Sequence, residues 1–477
     1  MSTADRIAEL SPRKRALLLA RLRETKQAAA REPVAGRTPG PALEPLPRPD
    51  GAAELAYPVS FSQLREWILD RFDPGTSAYN IPMWIDLAGR IEVPALAGAI
   101  ADLGRRHDAL RTRFRPPGAP DGGTVFLSQA GERYAGEPEQ VVVPAVRLDL
   151  PVIDLAGLPP ARREAAAGVL ERGHARLGFD LAEAPLFRVA LLRLGGAAHR
   201  LLLSIHHVVS DGWSMTVLFR DLGALYLART GAAAAAPRLP ALALRYGDYA
   251  AWQRRRLQGE TLEKILGYWR GRLAGAEPVL ELPTDRPRTA DRSLRAGSLD
   301  YRVPDALAPA VRQAAREHEV SLFMLLLAAF DLLFHRLTGQ TDLSIGTFIA
   351  NRNRAEIADL VGFFVNTLVL RSDLGGDPTL AEVLARVRKT TLGAYDHQDL
   401  PFEKLLDALQ PKRDPGRTPL FQVLCVLQNL PAPELATGGL TLRTRSAAGQ
   451  RANFELSAYL FEGDGSGRMG GGPGIYG

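Results

Sequence analysis

The chain is poor in cysteine: its 477 residues contain one, Cys425. A single thiol excludes an internal disulfide framework and a cysteine-built metal cage. Cys425 lies in the apolar run from Phe421 to Leu427, which reads as a buried structural position and not as a nucleophile. Long hydrophobic runs are also missing. The most apolar helix candidate, Leu322 to Phe334, is interrupted by Asp331 and falls short of a bilayer crossing. Asp5, Arg6 and Glu9 occupy the place of a signal peptide's apolar core. The expectation is a soluble, cytoplasmic, monomeric chain with no membrane partner. Charge of one sign is scarce too, with 59 basic against 53 acidic residues and a formal net charge of +6. The clusters Arg254-Arg255-Arg256 and Arg352/Arg354 lack the interleaved aromatics of a nucleic-acid platform, so no nucleic-acid partner is expected. What is present, 46% hydrophobic and 23% charged residues, is ordinary for a globular enzyme, and the length calls for two lobes.

Along the chain, Ser11-Pro12 starts an amphipathic helix that fills most of residues 1–30. Residues 31–56 are rich in Pro, Gly and Ala and read as a linker. Two halves of mixed α and β follow, residues 57–235 and 236–462, joined by an Ala/Pro-rich stretch. Expected strands in the second half include Phe363 to Arg371 and Ala452 to Glu462. Residues 463–477 are dominated by glycine and are expected to be disordered, without a packed strand or helix.

The densest signal is Ser204-Ile205-His206-His207-Val208-Val209-Ser210-Asp211-Gly212-Trp213-Ser214. Phe187 to Leu194 and Arg200 to His206 are β-prone and flank Gly195-Gly196, which predicts a hairpin. Beyond Gly212 the apolar spacing becomes helical. The imidazoles therefore fall where a strand end, a tight turn and a helix start converge. Taken alone, such a pair is more often structural than catalytic; its company decides.

That company is ordered. Ser60 to Trp67 precedes Asp73-Pro74-Gly75, and Arg106-His107-Asp108-Ala109-Leu110-Arg111-Thr112-Arg113-Phe114 follows. After the histidines come Tyr246 to Trp252, Leu282 to Pro287, Val361 to Thr367, His397 to Glu403 and Arg413 to Leu420. In this order the blocks closely resemble the core motifs of condensation domains of non-ribosomal peptide synthetases, over roughly Tyr57 to Glu462. Their form is most similar to the subgroup joining an L-configured donor to an L-amino acid. The resemblance implies a mixed α/β fold of two chloramphenicol-acetyltransferase-like lobes, a V-shaped pseudo-dimer with a central tunnel and the histidine motif at its middle. It also implies peptide-bond formation between substrates held as thioesters on phosphopantetheine arms. Upstream and downstream peptidyl carrier proteins and adjacent synthetase domains would be the partners, with no cofactor bound by the domain itself.

By position in the motif His207 is the catalytic candidate, with His206, Asp211 and Gly212 completing the set. A near-neutral imidazole can take the proton of the attacking amine, or it can orient the amine and stabilise the tetrahedral intermediate; the sequence leaves both roles open. His206 should point to the opposite face if the strand persists and so support the structure. Asp211 is expected to anchor its loop through an arginine; the resemblance implies Arg352 as that partner, with Arg111 as the second choice. Gly212 permits close backbone approach, and its amide or the helix start that follows is expected to face a developing oxyanion. Trp213 and Ser214 are expected to line the tunnel. Arg65, Arg111 and Asn366, like Trp67, Tyr246 and Trp252, are read as packing or inter-lobe hydrogen bonds. No metal site is expected, because adjacent side chains on a strand diverge.

Three features depart from the family pattern: Ser62 in place of alanine, Asp108 in place of glutamate, and the glycine-rich end. The last predicts an exposed sheet edge in the second lobe. The rival readings are an epimerization domain, a free-standing acyltransferase with a soluble acceptor, and a non-catalytic carrier-docking domain. With no carrier segment ahead of Met1, the donor is expected to come from another polypeptide, unless the chain is a piece of a larger synthetase.

Overall fold

The computed structural model describes residues 42–48, 54–116, 125–127, 133–231, 238–277, 279–284, 297, 299, 301–304, 306–411, 417–428, 441–446, 454–462 and 469–471. The helix expected in residues 1–30 lies outside them, as do most of the linker and of the glycine-rich end.

The first half contains β1 (Leu55–Pro58), β2 (Asn80–Ala88), β3 (Thr112–Arg115), β4 (Val125–Leu127), β5 (Arg133–Ala135), β6 (Glu139–Val142), β7 (Val152–Asp154), β8 (Phe187–Gly195) and β9 (Ala198–His206). Its helices are α1 (Phe61–Phe72), α2 (Val93–Arg106), α3 (Pro160–Arg176) and α4 (Gly212–Arg229). β8 and β9 form the expected antiparallel hairpin, turning through Gly195 and Gly196 at φ of +103° and +57°, where a side chain would be strained. Side chains alternate along β9. Leu201, Leu203 and Ile205 enter the main core with Phe187, Val189 and Leu191, whereas Leu202 meets Ala190, Leu192 and Trp84 on the other face, against Ala167 of α3. Burial on both faces explains the continuous apolar run, and each such side chain contributes about 1.5–3 kcal/mol. β2 pairs along the other edge of β9, Asn80 opposite His206. That register puts His206 at the end of a central strand.

The second half contains β10 (Tyr301–Arg302), β11 (Asp342–Ile349), β12 (Asn366–Asp373), β13 (Val423–Gln428), β14 (Thr441–Ser446), β15 (Leu456–Glu462) and β16 (Met469–Gly471). Its helices are α5 (Tyr246–Arg256), α6 (Gly259–Leu273), α7 (Ala308–Glu317), α8 (Leu322–Thr338), α9 (Leu380–Asp396) and α10 (Phe402–Leu409). Six strands pair in the order β10-β16-β15-β13-β11-β12 over a second core that includes Trp269, Leu327, Ile345, Leu370, Val383 and Cys425. The result is a mixed α/β fold with two lobes. No single helix among the described residues is long and apolar enough to cross a membrane.

Four expectations need correction. β14 pairs with β2, Thr441 opposite Ala88, so a strand from the second half completes the first lobe's sheet in the order β14-β2-β9-β8-β7. The linker is not wholly free: Leu43 is buried beside Tyr246 and Trp252, and the Leu46 amide donates to Asp248 Oδ1 at 2.9 Å. Within the glycine-rich end, Met469–Gly471 forms β16 between β15 and β10. Strand pairing uses only backbone groups, so glycines can cover an edge that would otherwise stay unpaired. Finally, β12 starts at Asn366 and not at Phe363, because residues 362–364 are drawn out of the ladder by bonds to the first lobe.

Candidate active site

β9 ends at His206, and His207–Val209 form one turn of 3₁₀ helix. The His206 Nδ1 accepts the Val208 amide at 3.1 Å, so this side chain caps the turn. Its ring is fully buried between Tyr79 and Phe179, and burial pushes its pKa down to about 3. The two histidines thus diverge because the strand stops between them, not because it continues.

His207 donates its amide to the Tyr79 carbonyl at 2.8 Å. Its half-buried ring stands edge-on to Phe363 of the second half, with centroids 4.6 Å apart. The Nδ1 atom is buried without a hydrogen-bond partner among the described residues. Burial lowers the His207 pKa, and the positive charge of Arg65 adds to this. The charge of Asp211 and the carbonyls of His207 and Ser210 oppose it. The net direction is downward, toward a neutral imidazole.

Asp211 caps α4, accepting the Ser214 amide on Oδ1 at 2.7 Å. Its Oδ2 accepts the Phe364 amide at 2.9 Å, and Arg352 Nη2 donates to Oδ1 at 3.2 Å. Arg352 also donates from Nη2 to Ser214 Oγ, and from Nη1 to the carbonyls of Ile357 and Leu360, each at 2.7 Å. Its guanidinium lies 4.0 Å from the Phe364 ring centre. The Ser214 hydroxyl donates to the Gly362 carbonyl at 2.9 Å and accepts the Gly362 amide at 3.1 Å. The Trp213 indole donates to the Ala358 carbonyl at 2.9 Å. Residues 352–364 are thereby clamped to the start of α4.

Close approach completes the joint. A Cβ on Gly362 would fall 1.9 Å from Tyr246 Cδ2, and the Tyr246 hydroxyl is itself held between the Phe363 carbonyl at 2.5 Å and Ser60 Oγ at 2.9 Å.

Of the sequence-predicted residues, His207, His206, Asp211, Trp213, Ser214 and Arg352 come together here, with exposed Gly212 opening α4 beside them. Ser214 does not line a tunnel: it is fully buried and its hydroxyl is saturated. Arg111 does not reach Asp211; its guanidinium donates to Asp108 Oδ1 at 2.6 Å and to the Val143 carbonyl at 2.5 Å. Asn366 bonds within its own half, donating to the carbonyls of Gln398 and Leu400 at 2.9 and 2.7 Å and accepting the Phe402 amide at 3.1 Å. It fixes the start of α10. Arg65 spans the lobes, 3.8 Å from Glu403 of α10 and 4.0 Å from Glu66.

Sequence reasoning overlooked Glu66, which is buried and whose pKa burial raises to about 7. The signal was available: Gln63, Glu66, Trp67 and Asp70 share one buried helical stripe, with three polar residues on it. Among the described residues no three His, Cys, Asp or Glu side chains are placed to hold a metal ion.

A two-lobed α/β fold with an imidazole at the joint, behind an aspartate–arginine clamp, defines the class of the condensation domains. The chain matches the condensation-domain family over residues 53–469 and belongs to it. It is 40% identical over 425 residues to the phosphinothricin tripeptide synthetase PhsC of Streptomyces viridochromogenes, covering 89% of this chain and 36% of that one. It is 38% identical over 422 residues to the chondramide synthase cmdD of Chondromyces crocatus, covering 88% of this chain and 10% of that one. The chain therefore spans well under half the length of these curated relatives. Among solved structures, the X-domain of teicoplanin biosynthesis in complex with OxyB superposes with a TM-score of 0.73 at 30% identity, covering 92% of this chain and 90% of that one. The condensation domain of the monacolin K polyketide synthase MokA shares the fold, with a TM-score of 0.75 at 21% identity over 89% of this chain and 94% of that chain.

Proposed function

We propose that this chain forms an amide bond between an acyl or peptidyl thioester on an upstream carrier protein and the α-amine of an aminoacyl group on a downstream one. The amine nitrogen bonds to the thioester carbon, the C–S bond breaks, and the donor arm leaves as a thiol. One proton passes from the amine, and the lengthened chain stays on the acceptor arm. Both substrates arrive on phosphopantetheine arms, so the domain supplies no cofactor of its own.

The observation that carries this reading is the position of His207, just past the end of the first lobe's central strand, with its ring against Phe363 of the second. A free α-amine titrates near about 8, so part of it is neutral near pH 7 and needs orientation more than strong-base assistance. A neutral imidazole can accept the proton of the far more acidic ammonium in the tetrahedral intermediate. The amide of Gly212, in the unpaired first turn of α4, is available to the oxyanion. Asp211 is a positioning residue: its bonds to Ser214, Phe364 and Arg352 leave it no part in proton transfer.

The test is intact-protein mass spectrometry of loaded donor and acceptor carriers with wild type and His207→Ala. Transfer of the donor mass to the acceptor, lost in the variant, supports condensation. Absence of transfer by folded wild type across a donor panel overturns it. The likeness to the X-domain complexed with OxyB favours one other reading, a docking domain for a partner protein. That outcome would show as partner binding indifferent to His207→Ala.

A further inference from the structure

The Arg106 to Phe114 motif takes no part in the joint around His207, yet it walls a separate concave pocket of about 160 Å³. This is smaller than drug-sized ligand sites, which run to about 300–1,000 Å³, and suits a small head group. Five arginines, Arg48, Arg105, Arg106, Arg111 and Arg245, contribute to the lining, with one acidic residue, Asp108; the Arg106 guanidinium itself turns back to Asp221.

The nearby carboxylates do not cancel that charge, because nearly every one is divided. Asp108 serves both Arg111 at 2.6 Å and Arg245 at 2.7 Å. Asp221, behind the wall, serves Arg106 at 2.7 Å, His107 at 2.9 Å and Arg220 at 2.7 Å. Asp102 is shared between Arg105 and Arg229. Arg48 approaches Asp248 only to 3.5 Å. Among the described residues, cations therefore outnumber anions at the wall, and a concave low-dielectric surface focuses the resulting positive potential. Arg111 is also pre-oriented by Asp108 and the Val143 carbonyl, which reduces the ordering cost of binding. Fixed planar guanidiniums match the oxygens of phosphate, and the concavity excludes a nucleic-acid duplex.

We propose that this arginine-lined pocket, between the end of α2, residues 242–246 and residues 360–361, binds a phosphate group. Two sources share that chemistry: a small free phosphate, or the phosphodiester at the root of a carrier arm. Only the second rests on the function proposed above.

Isothermal titration calorimetry of the full chain with inorganic phosphate, pyrophosphate and free phosphopantetheine tests it, with no carrier or turnover required. The pocket variant is Arg48→Glu/Arg105→Glu, chosen because these side chains are 35% and 67% exposed and tolerate replacement. Arg105→Gln serves as a milder version, and Arg270→Glu on α6 controls for net charge. One-site binding weakened about tenfold or more in the pocket variants, and unchanged in the control, supports the proposal. Preference for phosphopantetheine assigns the carrier arm; comparable binding of all three assigns a free phosphate. No saturable heat with any probe, or equal affinity in the folded pocket variants, overturns it. Failure here leaves the condensation reading standing, because transfer between carriers is measured separately.

Discussion

Replacing Arg352 with methionine is expected to unlock the joint. The guanidinium is 1% exposed and makes four hydrogen bonds, two to carbonyls of the 357–360 segment and one each to Asp211 and Ser214. Methionine keeps the aliphatic stem but leaves Asp211 as a buried carboxyl without its cation, alongside two carbonyls that lose their donor. Removing one partner of a buried ion pair costs about 3–5 kcal/mol, and losing the contact with the Phe364 ring adds up to about 2. The backbone amides of Ser214 and Phe364 still serve Asp211, which favours the lower end: about 4 kcal/mol. For a lobe of this size, that corresponds to a fall in melting temperature of roughly 8–16 °C.

Urea unfolding followed by tryptophan fluorescence reads this directly, since Trp213 lies 5.9 Å from the Arg352 guanidinium and bonds Ala358. Asp211→Asn closes a double-mutant cycle. A pair in direct contact should couple by about 1–3 kcal/mol, and a buried pair should keep that coupling at high salt. A cost below about 1 kcal/mol for Arg352→Met, with additive double-mutant behaviour, would refute the clamp as the element that holds the loop.

Three further outcomes are expected. Asp331 is fully buried in α8 with one donor among the described residues, Ser372 Oγ at 2.6 Å, and burial raises its pKa from 3.8 to about 7. The folded state therefore keeps a proton that the unfolded chain loses. The resulting stabilisation is present below about pH 4 and lost as pH rises to about 7, and Asp331→Asn should flatten that decline by a few kcal/mol in pH-dependent unfolding. Gly362→Ala forces a methyl group into Tyr246, which its own hydrogen bonds immobilise, so thermal melts should show a loss of about 3 kcal/mol or more and reduced transfer activity. Because burial lowers the His207 pKa, any acid limb it imposes on single-turnover transfer should fall below the ordinary 6.5 and shift lower still in Asp211→Asn, which removes an opposing negative charge. A limb at or above 6.5 would contradict that environment.

Legibility in the sequence followed the range of the forces involved. The β8–β9 hairpin and the start of α4 were readable because Gly195-Gly196, the apolar alternation and the Asp211 cap act within a few residues. The pairing of Asp211 with Arg352 carried no local signal, being 141 residues long-range, and was anticipated only through family resemblance. β14 was invisible for a related reason: a strand's neighbour is chosen by the open edge it meets, here β2 of the other lobe, and Thr441–Ser446 contains nothing that names that edge. Residues 363–365 looked like strand because their side chains are apolar. The bonds from Phe364 and Gly362 to the first lobe outweigh the ladder bonds they would otherwise make. Ser214 was misplaced by the same logic, since a hydroxyl beside the histidine motif reads as site-lining until the loop that saturates it is seen. The misreadings at Ser214 and residues 363–365 concentrate where the lobes meet, which is also where His207 stands. The proposed chemistry would therefore be placed by the least local part of the fold, and changes at Gly362 or Arg352, remote in sequence from the histidines, should disturb transfer as strongly as changes beside them.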